Sequence, residues 1–74
     1  MIKSVQKALN ILKVLSDTPF EYVSLKDISK KTGIEKSTCH HLLETLCAEG
    51  FAQNTAGSGK YILGPDSYLL TRFG

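Results

Sequence analysis

Between Glu35 and Glu49 the chain reads EKSTCHHLLETLCAE, and its apolar residues recur with a helical period. Cys39, Leu42, Leu43 and Leu46 fall at i, i+3, i+4 and i+7, a spacing that gathers them on one stripe of an α-helix. The other face carries Lys36, Ser37, His40, His41, Glu44 and Thr45, hydrogen-bonding groups in place of the long Glu/Lys mixture of an ordinary solvated face. Gly50 supplies the left-handed residue that ends the helix. Upstream, Ser24-Leu25-Lys26-Asp27 reads as a capped start, with an acid three residues after the serine as in a capping box. A short helix runs from there to about Thr32, and Gly33 turns the chain through Ile34 into the longer helix. Leu25, Ile28, Ile34, Cys39 and Leu42 can then face one interior, and Ser29 is small enough for the two helices to approach closely. The pattern is that of a helix-turn-helix.

The flanking segments complete a small domain. Ser4 can cap a first helix from Val5 to about Ser16, with Val5, Ala8, Leu9, Leu12 and Leu15 toward the core and Ile11 and Val14 in a second apolar strip beside them. So wide an arc implies either burial between two layers or contact with a second subunit or a C-terminal helix. Asp17-Thr18-Pro19 breaks the helix, and Phe20 to Val23 is expected to run extended. Phe51 to Gln53 and Lys60 to Leu63 read as two strands of a hairpin with a Gly-rich tip, Tyr61 and Leu63 on one face and Lys60 and Ile62 on the other. Tyr22-Val23 offers a third strand. A lone hairpin is barely stable in water, so this one must lie on the helices as a wing. Gly64-Pro65-Asp66 then starts a further helix, Ser67 to Phe73, with Tyr68, Leu69 and Leu70 apolar. The fold class is therefore mainly α with a small β-hairpin, a three-helix core plus a wing over residues 1–64, and residues 65–74 begin a linker helix. So short a last helix suggests either the N-terminal part of a longer protein or an end that pairs with a partner.

Length and charge narrow the function. Seventy-four residues make one domain, able to bury only roughly 60% of the unfolded surface and too small for a deep catalytic cleft. Nine Lys plus Arg against seven Asp plus Glu give a net charge of +2, a mild bias that suits a nucleic-acid module. No stretch is long and apolar enough to span a bilayer and no export signal precedes the first helix, so a cytoplasmic location is expected. Cys39 and Cys47 sit on one helix, about 12 Å apart along its axis, too far for a bond within it, and are expected to be reduced.

The chemistry expected is DNA recognition. A major groove admits one α-helix, read mainly by residues near its N-terminus, here Lys36, Ser37, Thr38, His40 and His41, with Thr45 further along the same face. Lys26, Lys30, Lys31 and Lys36 cluster where they can meet phosphates, Ser24 stands at the start of the second helix, and Lys60 on the wing can reach an adjacent groove or phosphate. The plainer readings are a solvated helix face for His40-His41 and a solubilising role for the lysines, which are interleaved with Asp27 and Glu35. Cys39, His40, Glu44 and Cys47 suggest a metal, but Cys39 belongs to the core stripe and only His40 and Glu44 share an exposed face at i, i+4. Two ligands do not make a structural zinc site, so neither a metal nor a cofactor is expected. No Ser/His/acid set, phosphate loop or three-ligand cluster can be assembled, which argues against an enzyme. A winged helix used only for protein assembly is the alternative.

SVQKALNILKVL, LKDISKKTGIEKSTCHHLLETLCAEGF and GKYILGP together resemble the DNA-binding domain of IclR-type (isocitrate lyase regulator) bacterial transcription factors, over nearly the whole chain. The most specific parts are Gly33-Ile34-x-Lys36-Ser37-Thr38, Leu42-Leu43-x-Thr45-Leu46, Glu49-Gly50-Phe51 and Tyr61-x-Leu63-Gly64. The resemblance implies a winged helix-turn-helix that binds double-stranded operator DNA as a dimer; the wide apolar arc of the first helix makes that helix, with the linker helix, the expected homodimer contact. It also implies a C-terminal domain, absent from these residues, that binds a small-molecule effector. Family DNA contacts fall on Ser37, Thr38 and His41, with support from Lys7 in the first helix and from the wing. Two positions depart from the family: Glu35 stands where proline is frequent, and His41 where arginine is frequent.

Overall fold

A computed structural model describes the backbone of residues 1–55 and 58–73, with side chains through residue 69. The elements are α1 (Lys3–Asp17), β1 (Val23–Ser24), α2 (Leu25–Thr32), α3 (Lys36–Ala48), β2 (Ala52–Asn54), β3 (Lys60–Leu63) and a 3-10 helix, Pro65–Phe73. The winged helix-turn-helix expected from the sequence is present, with a small antiparallel sheet ordered β1-β3-β2. Val23 pairs with Tyr61 on one side of β3, and Ala52 pairs with Leu63 on the other. The third strand is thus Val23–Ser24, one residue later than Tyr22-Val23. β2 likewise starts at Ala52 rather than Phe51.

Five expectations are corrected. Ser4 does not cap α1: the helix begins at Lys3, with Ile2 at the capping position and no side chain serving it. The inward strip of α1 is Ile11 and Leu15, both fully buried, with Val14 beside them, whereas Val5 and Leu9 are 53% and 51% exposed. The buried pair takes Leu15 from the strip expected to face the core and Ile11 from the strip beside it, so the inward face lies between the two that periodicity marks out. Phe20 is not extended: Glu21 N–H donates to Thr18 O at 3.0 Å, closing a turn around Pro19 that leaves Phe20 almost fully exposed. The main helix runs from Lys36 to Ala48, with Glu35 and Glu49 as its flanking residues. Residues 65–73 form a 3-10 helix rather than an α-helix from Ser67. Pro65 occupies its first position, where a missing N–H costs nothing. Ala56 and Gly57 of the wing tip, and the side chain of Leu70, lie outside the described residues.

The core is Ile11, Leu15, Val23, Ile28, Ile34, Cys39, Leu43, Ala52 and Tyr61, drawn from all three helices and all three strands. Tyr61 faces inward and Lys60 outward, as strand alternation requires. Burial pushes the Tyr61 hydroxyl and the Cys39 and Cys47 thiols above their ordinary pKa values; for Cys39 a hydrogen bond from Thr32 opposes the shift, and for Tyr61 the charges of Cys47 and Glu44 add to it. Both cysteines are free and stay as neutral thiols near neutral pH.

Local chemistry fixes how α2 and α3 meet. Ser24 Oγ accepts from Asp27 N–H at 3.1 Å, the N-cap read from the sequence. Ser24→Ala is expected to cost about 1 kcal/mol, seen as a lower urea midpoint with an unchanged slope. At the other end of α2, Gly33 has φ +74° and its N–H donates to Ser29 O. Thr32 Oγ1 donates to Ile28 O at 2.7 Å and accepts from Ile34 N–H at 3.2 Å, while Ser29 Oγ donates to Ile34 O. The turn is therefore fastened by two hydroxyls as well as by packing. Beyond α3, Gly50 has φ +82°, its N–H donates to Cys47 O, and Phe51 N–H donates to Leu46 O at 2.8 Å, the paired bonds of a Schellman ending.

Candidate nucleic-acid interface

With Cys39 and Leu43 buried, the opposite side of α3 is set by helix geometry. Ser37, His41, Glu44 and Ala48 recur there at i, i+4, i+7 and i+11, all exposed, with Thr45 at their edge. Lys36 and His40 are exposed on the flank nearer Cys47, and Thr38 is half-buried on the other flank. The candidate residues of α3 thus form one accessible surface, with Thr38 contributing its rim.

The N-terminus of α3 is open. Glu35 makes no side-chain cap and the first turn holds no acid. Cys39 N–H is the first to bond back into the helix, to Glu35 O at 2.9 Å. The amides of Lys36, Ser37 and Thr38 lack a side-chain acceptor among the described residues, and with the helix dipole they suit an anion.

Around this face the cations are exposed. Lys26 and Lys30 lie four residues apart on α2 and share a face, with Lys31 and Lys36 following. Lys30 and Lys31 also complement the C-terminal end of the α2 dipole, which is the plainer account of their placement. The wing joins this region through β1. Ser24 pairs in register with Lys60, and Leu25 N–H donates to Gly59 O at 3.1 Å. Lys60 and the start of α2 are therefore neighbours. The Ser24 hydroxyl is engaged as a cap and the residue is half-buried, so its role is structural first. Lys7 is half-buried on α1, four residues before Ile11 and so at one end of that helix's inward face.

Two features escaped the sequence reading. Gln53 and Asn54 on β2 are exposed amides on the wing itself. Glu44 also stands at the centre of a cluster: His40 Nδ1 and His41 Nδ1 each lie 3.5 Å from its Oε1. The histidine rings meet edge-on, with centroids 5.9 Å apart. The expectation of only two ligands on this face is corrected, since His41 joins the i, i+4 pair. The i, i+3 spacing of His41 and Glu44 was the available signal.

The chain matches the IclR helix-turn-helix domain over residues 4–56. It is 42% identical over 64 residues to the HTH-type transcriptional regulator XynR of Escherichia coli, covering 86% of this chain and 25% of that protein. Identity to the glycerol operon regulatory protein of Streptomyces griseus is 35% over 69 residues, or 93% of this chain and 27% of the relative. The crystal structure of an IclR transcriptional regulator from Alicyclobacillus acidocaldarius superposes with a TM-score of 0.87 at 33% identity, over 97% of this chain and 29% of that one. The chain spans about a quarter of the length of the curated relatives it matches. Among the described residues no helix is long and apolar enough to cross a membrane. Open helix terminus, exposed polar face and matched domain agree: this chain belongs to the IclR family of transcriptional regulators, a non-enzyme family, and corresponds to its DNA-binding winged helix-turn-helix.

Proposed function

We propose that this domain reads a specific double-stranded operator, with residues 35–49 in the major groove. The observation that carries the reading is the exposed polar face of α3, led by an uncapped N-terminus and bordered by exposed lysines. In this reading the α3 amides and Lys26, Lys30 and Lys36 take phosphates, while Ser37, Thr38, His40, His41 and Thr45 face base edges. Lys60 and Lys7 add support from the wing and from α1. The names of the relatives, a transcriptional regulator and an operon regulatory protein, favour an operator as the target.

Residues 1–64 act as the DNA-binding unit and residues 65–74 as the start of a linker to an effector-binding domain. Dimerisation through α1 and the linker is supported by an apolar surface. Ile2, Val5 and Leu9 line one side of α1, and Leu9 and Leu12 border a hollow of about 350 Å³ with Leu63 and Tyr68. Two copies bring two recognition helices to half-sites one helical turn apart.

Fluorescence anisotropy of a library-selected and a random duplex against salt tests the reading. A steep salt slope with tighter binding to the selected duplex is expected. His41→Ala is expected to weaken the selected duplex by about 1 to 3 kcal/mol and to leave the random one nearly unchanged. Equal losses on both would remove His41 from base reading. No binding to either duplex at low salt, with the chain folded and tested also as a forced dimer, would favour a protein-assembly role.

A further inference from the structure

We propose that His40, His41 and Glu44 form a binding site for a divalent transition-metal ion of the zinc class on the exposed face of α3. His40 Nδ1 and His41 Nδ1 each stand 3.5 Å from the same carboxylate oxygen, Glu44 Oε1, and one donor atom from each of the three residues lies within 4.8 Å of the others. Ligand atoms bonded tetrahedrally to zinc at about 2.0 to 2.2 Å stand roughly 3.4 Å apart. Both nitrogen-to-oxygen separations already fit. Only the two imidazoles must close on each other, and their side chains are 53% and 77% exposed, so rotation about their own bonds is unobstructed by core packing.

The donor set selects the ion. Two imidazoles and one carboxylate suit zinc, nickel, copper or cobalt, while a single carboxylate offers too few oxygens for calcium or magnesium. Three protein ligands leave a fourth position for water, the arrangement of an open site. Lys36, exposed one turn before His40, opposes the incoming charge and keeps the site at the weak end of three-ligand affinities. A consequence rests on the operator-reading proposal: a bound ion takes the His40 and His41 imidazole nitrogens away from base edges, so it should lower sequence discrimination.

The first arm of the test needs no DNA. The 74-residue chain is titrated with Co(II) as a visible-absorption probe and the ion is then displaced with zinc. One saturable cobalt per chain is expected. His40→Gln and Glu44→Gln should each weaken it at least about tenfold, the lower end of what losing even an outer partner of a metal site costs. Cys47→Ser should leave it unchanged. These are exposed positions, and circular dichroism establishes that each variant is folded. No saturable binding, unchanged affinity in both ligand variants, or a thiolate-to-cobalt absorption band would each overturn the site. In the second arm, zinc should lower the ratio of selected to random duplex affinity in the parent and not in Glu44→Gln, whatever that variant's own starting ratio. An unaffected ratio in a zinc-loaded parent would sever the ion from DNA reading. Failure to discriminate duplexes without zinc would count against the operator proposal and leave the first arm standing.

Discussion

Gly64→Ala is expected to destabilise the domain by about 3 kcal/mol or more, at or above the upper end of ordinary overpacking. Gly64 is buried where β3 ends, and a Cβ there would run into the Gly50 carbonyl and stand 2.8 Å from Ala52 N. Both obstacles are backbone, so no rotamer relieves them. The same residue ties two segments together: its N–H donates to Phe51 O at 2.9 Å, and its carbonyl accepts from Ser67 Oγ at 2.6 Å. At about 0.05 to 0.15 kcal/mol per residue, a domain of this size holds only some 4 to 11 kcal/mol in all. The melting temperature should therefore fall by at least about 12 °C, or folding should be lost. Gly33→Ala is the control. Its Cβ meets open space and only its φ of +74° penalises a side chain, so about 1 to 2 kcal/mol is expected. Thermal and urea melts followed by far-UV circular dichroism check both, and equal losses would show that steric conflict at Gly64 is not the cause.

Replacing Lys26, Lys30 and Lys36 together by alanine is expected to have the largest effect on DNA. If each neutralises one phosphate, the slope of log affinity against log salt should flatten by about 2.7. Affinity near 0.1 M salt should drop by two to three powers of ten for selected and random duplexes alike, on the order of 3 to 4 kcal/mol. All three side chains are exposed, so stability should hardly change. Lys13→Ala, an exposed cation on α1 away from the helix-turn-helix, should leave the slope where it was. An unchanged slope in the triple variant would mean that the cluster only solvates α2 and complements its dipole.

Much of this fold is legible in the sequence because its signals are local. The Ser24 cap, the left-handed turns at Gly33 and Gly50, and the Cys39 to Leu46 stripe each need only a few neighbouring residues, and each is where the sequence puts it. What was misread depends on tertiary context. That the inward face of α1 falls between its two apolar strips, burying Ile11 and Leu15, is decided by the packing of α2 and α3 against it, and β1 is set by its pairing to Tyr61, thirty-eight positions on in register. The 3-10 form of residues 65–73 likewise has no local sequence signature, and its start is held by Asp66 N–H bonding Gly50 O at 3.0 Å. For the candidate interface, the polar face of α3 was legible as a helical stripe. The gathering of His40 and His41 around one Glu44 oxygen was not, because it depends on side-chain rotation that the wheel does not specify.

The central position of β3 also bears on how the domain is made. In synthesis the residues of all three helices precede Lys60, and β1 has no strand to pair with until Tyr61 has been added. α2 and α3 meet through contacts close in sequence, whereas pairing β1 with β3 must close a loop of nearly forty residues. A chain ending at Gly50 would carry the three helical segments but lack the bond from Leu25 to Gly59 that joins the entry of α2 to the wing. The candidate recognition surface therefore depends on the wing, the last part of the sheet to be made, for the bond that anchors the start of α2.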